Sequence, residues 1–244
     1  MKTSIDIIIP AYNEGSRITP MLTSYAEFFT VSETADVTLT VVPNGCTDNT
    51  IDVVTEMQKQ YPALIRIIVV PEAVGKGGAV YAGWKQSTSD IVGFVDADGA
   101  TSPEEFERLI DQIVHRADID GVIGSRFIGG ATVINRTSRL RSVMSQFFVQ
   151  FVRILFWLPY QDTQCGAKLF RRESITAVFP ELHTTNMQFD VELLWKLKKQ
   201  NRRVMEVPTV WVDQPGSAQL GSKFGFFKTG LKMVSSLIQI RLRG

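Results

Sequence analysis

Apolar and polar positions change period repeatedly along this chain, and those changes mark its elements. "SIDIIIP" (residues 4–10) is a near-continuous apolar run, the pattern of a strand buried on both faces, and a helix is expected from about Arg17 to Phe29. "DVTLTVVP" (36–43) predicts a second strand, and "DNTIDVVTEMQKQY" (48–61) a helix capped by Asp48 or Asn49. "IRIIVVP" (65–71), "GKGGAVYAGWKQS" (75–87) and "DIVGFVD" (90–96) continue as strand, helix, strand. "SPEEFERLIDQIVHR" (102–116) is a helix with Ser102 as N-cap and Pro103 in the first helical position, and "DGVIGS" (120–125) is another strand. Such alternation predicts an α/β fold with a mainly parallel sheet and helices on both faces.

After residue 125 the pattern breaks. A Gly-containing loop (128–138) leads to a long apolar helix over about 139–158. Then come "DTQCGAKLFRR" (162–172), a helix over 186–201, a strand over 202–208, and a loop through "QPGSAQLGSK". Ser142, Gln146, Gln150 and Arg153 form a narrow polar stripe on the first helix. In "FGFFKTGLKMVSSLIQIRLR" (224–243), Lys228, Lys232, Ser235 and Gln239 share one face, and Phe227, Leu231, Val234 and Ile238 another. Basic amphipathic helices of this kind suit a membrane surface, packing on the body of the protein, a homodimer or a membrane-protein partner.

Ligands of an open parallel sheet bind beyond the carboxyl ends of its strands, where Asn13, Glu14, Asn44, Asp96 and Asp98 all fall. Asp96 and Asp98 flank Ala97, so in an extended segment both carboxylates point the same way. Their repulsion favours a bound cation, and hard oxygen ligands suit Mg²⁺ or Mn²⁺ held jointly with substrate phosphates. The pair alone reads equally as a polar strand-to-helix turn. Lys76 adds a positive charge at a helix start, although "GKGG" lacks the P-loop spacing.

Composition narrows the classes. With 244 residues and 44% apolar content the chain can bury one good core. Cys46 and Cys165 are widely separated, which suits a reducing compartment, and His115 and His183 are isolated. No basic segment followed by an apolar run opens the chain, so no secretory signal is expected, and the apolar stretch 143–159 is too interrupted for a membrane span. Charge is segregated: residues 1–125 hold 8 Lys/Arg against 18 Asp/Glu, residues 126–172 hold 8 against 1, and residues 223–244 hold 5 against none. Two cationic blocks point to an anionic partner. The acidic first half and the absence of a recognition motif argue against nucleic acid.

"IPAYNEG" (9–15), "VPNGCTDNT" (42–50), "VGKGGAVYAG" (74–83) and "FVDADG" (94–99), in this order, resemble family 2 glycosyltransferases of the GT-A fold. "GSRF" (124–127), "DTQCGAKLF" (162–170), "FDVELL" (189–194) and "GSK" (221–223) look like the branch that glucosylates or mannosylates polyprenyl and dolichyl phosphates. The resemblance implies a Rossmann-like GT-A domain over 1–222, with a nucleotide-sugar half (1–125) and an acceptor half (126–222). A basic amphipathic helix (223–244) would follow. It implies an inverting, metal-dependent hexosyl transfer, with UDP-glucose favoured over a GDP-sugar, to a lipid phosphate at the cytoplasmic membrane face. Pro10, Ala11, Tyr12 and Glu14 would hold base and ribose, with Asn44, Lys76, Asp96 and Ala97 also on the donor side. Asp96 and Asp98 would bind Mg²⁺ or Mn²⁺. Pro43-Asn44 stand where the family usually has two aspartates, and "GSAQLG" lacks the Arg common in mannosyl-type relatives.

The acceptor stays open at this point. An alcohol needs a general base, for which Asp190 comes first and Asp162 second. A phosphomonoester is already ionised and needs cations instead, for which Arg126, Arg139 and Lys223 are suited. A non-catalytic nucleotide-sugar or membrane-binding module is the remaining alternative.

Overall fold

The structure is a computed structural model that describes residues 2–135, 139–213 and 223–243; the side chains of 139–146 and 223–232 fall outside that description. Five strands of the first half are β1 (Ser4–Ala11), β2 (Asp36–Pro43), β3 (Ile65–Ile67), β4 (Ile91–Val95) and β5 (Gly121–Ser125). Between them lie α1 (Ile18–Val31), α2 (Thr50–Gln60), α3 (Gly75–Gln86) and α4 (Pro103–His115). The second half supplies β6 (Thr132–Ile134), α5 (Arg139–Phe156), β7 (Ala167–Arg171), α6 (Arg172–Val178), α7 (Phe189–Lys199), β8 (Val204–Pro208), β9 (Val210–Val212) and α8 (Lys223–Leu242).

Seven strands form one sheet in the order β3-β2-β1-β4-β7-β5-β8, so both halves of the chain build it. All neighbours are parallel except β7, which runs antiparallel to β4 and β5. The mainly parallel sheet is as the alternation predicts. Strand β7 is an addition: it hides in "DTQCGAKLFRR" as five residues with a lysine among them. A second, two-stranded sheet pairs β6 with β9.

Each face of the large sheet carries its own core. Ile5, Ile7 and Ile9 of β1 pack with Leu22, Tyr25 and Phe106 from α1 and α4. Ile8, one residue out of step, joins Trp84, Phe94, Phe170 and Phe189 on the other face, under α3 and α7. A strand buried on both faces favours apolar side chains at nearly every position, hence the run "IIIP" that follows Asp6. Ser102 caps α4 by accepting the Glu105 N–H at 3.4 Å, as expected. Strand β3 is shorter than its apolar run because the chain then turns to bridge the β2 end. There the Val70 N–H donates to Pro43 O, and Val70 O accepts the Gly45 N–H.

Asp6 breaks the rule for β1. It is 3% exposed, its Oδ1 has no partner, and burial lifts its carboxyl above the usual range despite the nearby Thr40 and Ser87 hydroxyls and Arg66. A raised folded value means that the charged form opposes folding. Any stability Asp6 contributes is complete below its unfolded value and is lost as pH rises through its folded one. Asp6→Asn is therefore expected to raise the midpoint of thermal unfolding at pH 7, with the gain shrinking towards pH 4; an unchanged midpoint at pH 7 would contradict this account.

Candidate active site

The carboxyl ends of β1, β2 and β4 open on one crevice, and the sequence-predicted residues gather there with differing fates. Pro10 and Ala11 end β1, and Tyr12 follows with its ring 55% exposed at the rim. Asn44 is buried: its backbone N–H and its Nδ2 both donate to Ala11 O at 2.9 Å, so it splices β2 to β1. The Glu14 carboxylate is held bidentately by Arg17 at 2.6 and 2.8 Å, and the Glu14 carbonyl accepts the first N–H groups of α1. Asn44 and Glu14 thus shape the crevice through their partners. The Ala97 side chain belongs to the apolar core, which leaves its backbone as the part that borders the crevice.

With Ala97 turned inward, Asp96 and Asp98 face the crevice together. The Asp96 N–H donates to Gly166 O at 3.0 Å, which fastens the end of β4 to the residue before β7. A Cβ on Gly166 would lie 2.1 Å from Asp96 Oδ2, so only glycine leaves room for this carboxylate. Asp98 Oδ1 accepts the Ala100 N–H at 3.0 Å, closing the turn through Gly99 (φ +72°). Burial, then the charge of Asp96, lift the Asp98 carboxyl above its usual range; the Ala100 N–H, Lys76 and Arg17 counter this in part. Among the described residues no three His, Cys, Asp or Glu side chains converge, so the protein offers a cation two carboxylates. That donor set fits Mg²⁺ or Mn²⁺ bound with substrate phosphates better than a cage made wholly of protein.

Lys76 reaches this pair from the first turn of α3, with Nζ 2.6 Å from Asp96 Oδ1. The glycines around it serve packing. Gly75 (φ +80°) would place a Cβ 2.6 Å from Thr185 O, and Gly77 one 2.5 Å from Phe189 Cβ. The bare helix start lies directly on residues 184–189, which aims Lys76 at the sheet.

Behind Lys76 lies a second, sealed ion pair. Lys168 Nζ donates to Asp190 Oδ1 at 2.9 Å and to Cys165 O at 2.5 Å; the two side chains are 0% and 2% exposed. Burial raises the Asp190 carboxyl, with Lys168 and then Lys76 pulling it down. A general base needs hydrogen-bond reach to the acceptor's proton, and this carboxylate is enclosed. Asp162, the second base candidate, is also fully buried. It binds Arg126 through Nε at 2.7 Å, Nη2 at 3.0 Å and the backbone N–H at 3.0 Å. Arg126 in turn stacks on Trp211 and Phe127, so its charge is matched within the protein. The side chains of Arg139 and Lys223 lie outside the described residues.

Known proteins resemble this chain over most of its length. The sequence model of glycosyl transferase family 2 matches residues 6–179, a stretch holding every crevice residue named above except Asp190 and its neighbours. The chain belongs to glycosyl transferase family 2. It is a glycosyltransferase by that membership and by its relatives. A dolichyl-phosphate beta-glucosyltransferase of Dictyostelium discoideum is 34% identical, covering 98% of this chain and 74% of the relative. One of Trichomonas vaginalis is 37% identical over 96% and 71%, and the human enzyme of that name 30% over 98% and 75%. Among solved structures, glucosyl-3-phosphoglycerate synthase from Mycobacterium tuberculosis superposes with a TM-score of 0.68 at 18% identity, over 98% of this chain and 80% of that one. At that identity it speaks for the shared GT-A fold.

Two charged side chains beside this crevice, Arg17 and Lys168, are not singled out by the sequence reading. Arg17 is spent on Glu14 but also lies in the field of Asp98, so it brings positive charge to the crevice. Lys168 is a charge inside the apolar strand "AKLF", an oddity that could have marked a buried partner for Asp190.

Proposed function

We propose that this glycosyltransferase moves glucose, or a related hexose, from a nucleotide-sugar to a dolichyl or other polyprenyl phosphate in one inverting displacement, with UDP-glucose the favoured donor. The observation that carries the acceptor assignment is the burial and pairing of both Asp190 and Asp162. A hydroxyl acceptor would need a free carboxylate beside the donor, whereas a phosphomonoester arrives ionised. The relatives at 30–37% identity bear the name dolichyl-phosphate beta-glucosyltransferase, and the M. tuberculosis structure was determined with Mn²⁺ and UDP.

The acceptor oxygen attacks the anomeric carbon as its bond to the diphosphate oxygen breaks, so the nucleoside diphosphate leaves with the electron pair. Asp96 and Asp98 would hold a divalent ion, which supplies Lewis-acid stabilisation of the charge on that leaving group. Lys76 and Arg17 add positive charge to the same crevice. Pro10, Ala11 and the exposed ring of Tyr12 offer the base a surface at the end of β1. Asn44 and Glu14 hold that surface in shape.

A lipid acceptor calls for a membrane-facing side, and α5 with α8 provides one. Helix α5 packs through Val149, Val152 and Phe156, and α8 through Leu237 and Ile240. Outside them stand Phe147 and Ile154 of α5 and Leu242 of α8, with Trp157 just past α5, all at least 73% exposed. The face of α8 that packs is thus not the one containing Ile238, which is exposed. Among the described residues no helix is long and apolar enough to cross a membrane. With Lys198 bonded to Trp157 O and Arg241 to Leu155 O beside these apolar side chains, the face suits peripheral binding to the anionic cytoplasmic leaflet.

One experiment tests both parts. Transfer from UDP-[¹⁴C]glucose with Mn²⁺ is measured to dolichyl phosphate in anionic vesicles, to a short, water-soluble prenyl phosphate and to the corresponding free alcohols. Wild-type protein should use both phosphates, and Ile154→Ser/Trp157→Ser should lose about tenfold with vesicles only. Transfer to free alcohols but to neither phosphate would sink the assignment. Equal losses with both phosphates would sink the membrane role, and a wild-type dimer dissociated by the same substitutions would give that face to a second copy.

A further inference from the structure

Four acidic and basic side chains alternate inward from the crevice: Asp96, Lys76, Asp190, Lys168. The outer pair is in contact at 2.6 Å and the inner pair at 2.9 Å. Lys76 contacts Asp96, and its ammonium also feels the charge of Asp190 from within. Burial works against its charge, but Asp96, then Asp190, then Asp98 outweigh it. Phe94 and Phe189, themselves 5.2 Å apart, flank its ammonium at 5.2 and 5.8 Å and wall its path. We propose that Lys76 is a built-in counter-cation that occupies Asp96 in the metal-free protein, and that Asp190 is the second seat to which its ammonium withdraws when a divalent cation arrives.

The argument is one of competition for the same oxygen. A divalent ion of the Mg²⁺ class binds carboxylate oxygens at about 2.1 Å, and an ammonium already in contact with Asp96 repels it strongly in a half-buried site. The backbone of the α3 turn is pinned on Thr184 and Thr185, so it cannot carry Lys76 away. The four-carbon stem can move instead. Asp190 is suited to receive it: Lys168 engages Oδ1, and a carboxylate accepts from several donors. The aromatic walls stabilise the cation between the two seats without water. The same arrangement relieves the repulsion between Asp96 and Asp98 when no metal is present. Metal alone is then bound weakly, and the donor's diphosphate, by adding oxygen ligands, tips the exchange, so metal and nucleotide arrive together.

The inference rests on the reading of Asp96 and Asp98 as the metal site, and the test separates the two. Binding of Mn²⁺ alone is followed by the electron paramagnetic resonance of the free ion, without donor or acceptor, and repeated with UDP. Lys76→Met should tighten Mn²⁺ alone by about tenfold or more. Asp190→Asn should weaken it severalfold, and that loss should vanish in Lys76→Met/Asp190→Asn, because it acts only by trapping the ammonium on Asp96. Unchanged or weaker Mn²⁺ binding in Lys76→Met overturns the proposal, whether or not the Asp190 variants fold. So does an equal Asp190→Asn effect in both backgrounds. If wild-type protein binds no Mn²⁺ even with UDP, the metal site itself is wrong and this inference falls with it.

Discussion

Asp98→Asn is expected to lower sugar transfer by roughly a thousandfold while leaving the protein at least as stable at neutral pH. The amide still accepts the Ala100 N–H, so the turn through Gly99 survives. What disappears is one of the two charges that face the crevice, and removing a single electrostatic group of this kind costs about 10²–10³ in rate. The stability direction follows from the raised carboxyl of Asp98. Burial and Asp96 disfavour its ionised form more than the Ala100 N–H, Lys76 and Arg17 favour it, so the wild-type protein carries an only partly compensated charge above its folded value, and the amide removes it. Initial rates with labelled donor, set beside thermal unfolding at pH 7, decide the matter. A variant that loses activity and unfolds early would make Asp98 a structural residue, and one that keeps full activity would remove it from the site.

Asp190→Ala should do the reverse, acting first on the fold. It leaves Lys168, fully buried, with one carbonyl for its ammonium, and breaking a buried ion pair from one side costs about 3–5 kcal/mol. Denaturant unfolding should show that loss. Lys168→Met/Asp190→Ala should recover much of it, because an apolar pair leaves no stranded charge. If Asp190→Ala were instead as stable as wild type but inactive, Asp190 would be a base after all and the acceptor a hydroxyl. Recovery of stability in the double variant without recovery of full activity is also expected, since Lys76 then loses its second seat.

Much of the fold was legible before any coordinates. Strands β1, β2, β4 and β5 announce themselves because burial on both faces favours near-continuous apolar runs. Helix α4 does so because Ser102 and Pro103 mark its start. Strand β7 could not be read. Its only signature is "AKLFR", and what makes it a strand is the gap between β4 and β5, which arises from contacts far apart in sequence. The little sheet of β6 and β9 is hidden for the same reason, each strand having three residues and a distant partner.

The site divides along the same line. Asp96 and Asp98 are legible in the sequence because they close a strand before a glycine; in the structure they lie just past β4, where the turn through Gly99, rather than strand alternation, sets Ala97 into the core. Lys76 was found as a charge near a helix start. The amino-acid sequence by itself determined the alternation of elements, the edge on which a crevice opens and the two carboxylates that face it, since each depends on period and neighbours within a few residues. Only the tertiary structure decided which charges are spent inside the protein. Asp190 on Lys168, Asp162 on Arg126 and Glu14 on Arg17 all looked available in the sequence. An ion pair depends on two side chains meeting in space, and for Asp190 and Asp162 that meeting is made by the packing of β7 beside β4 and of the segment before it against the end of β5.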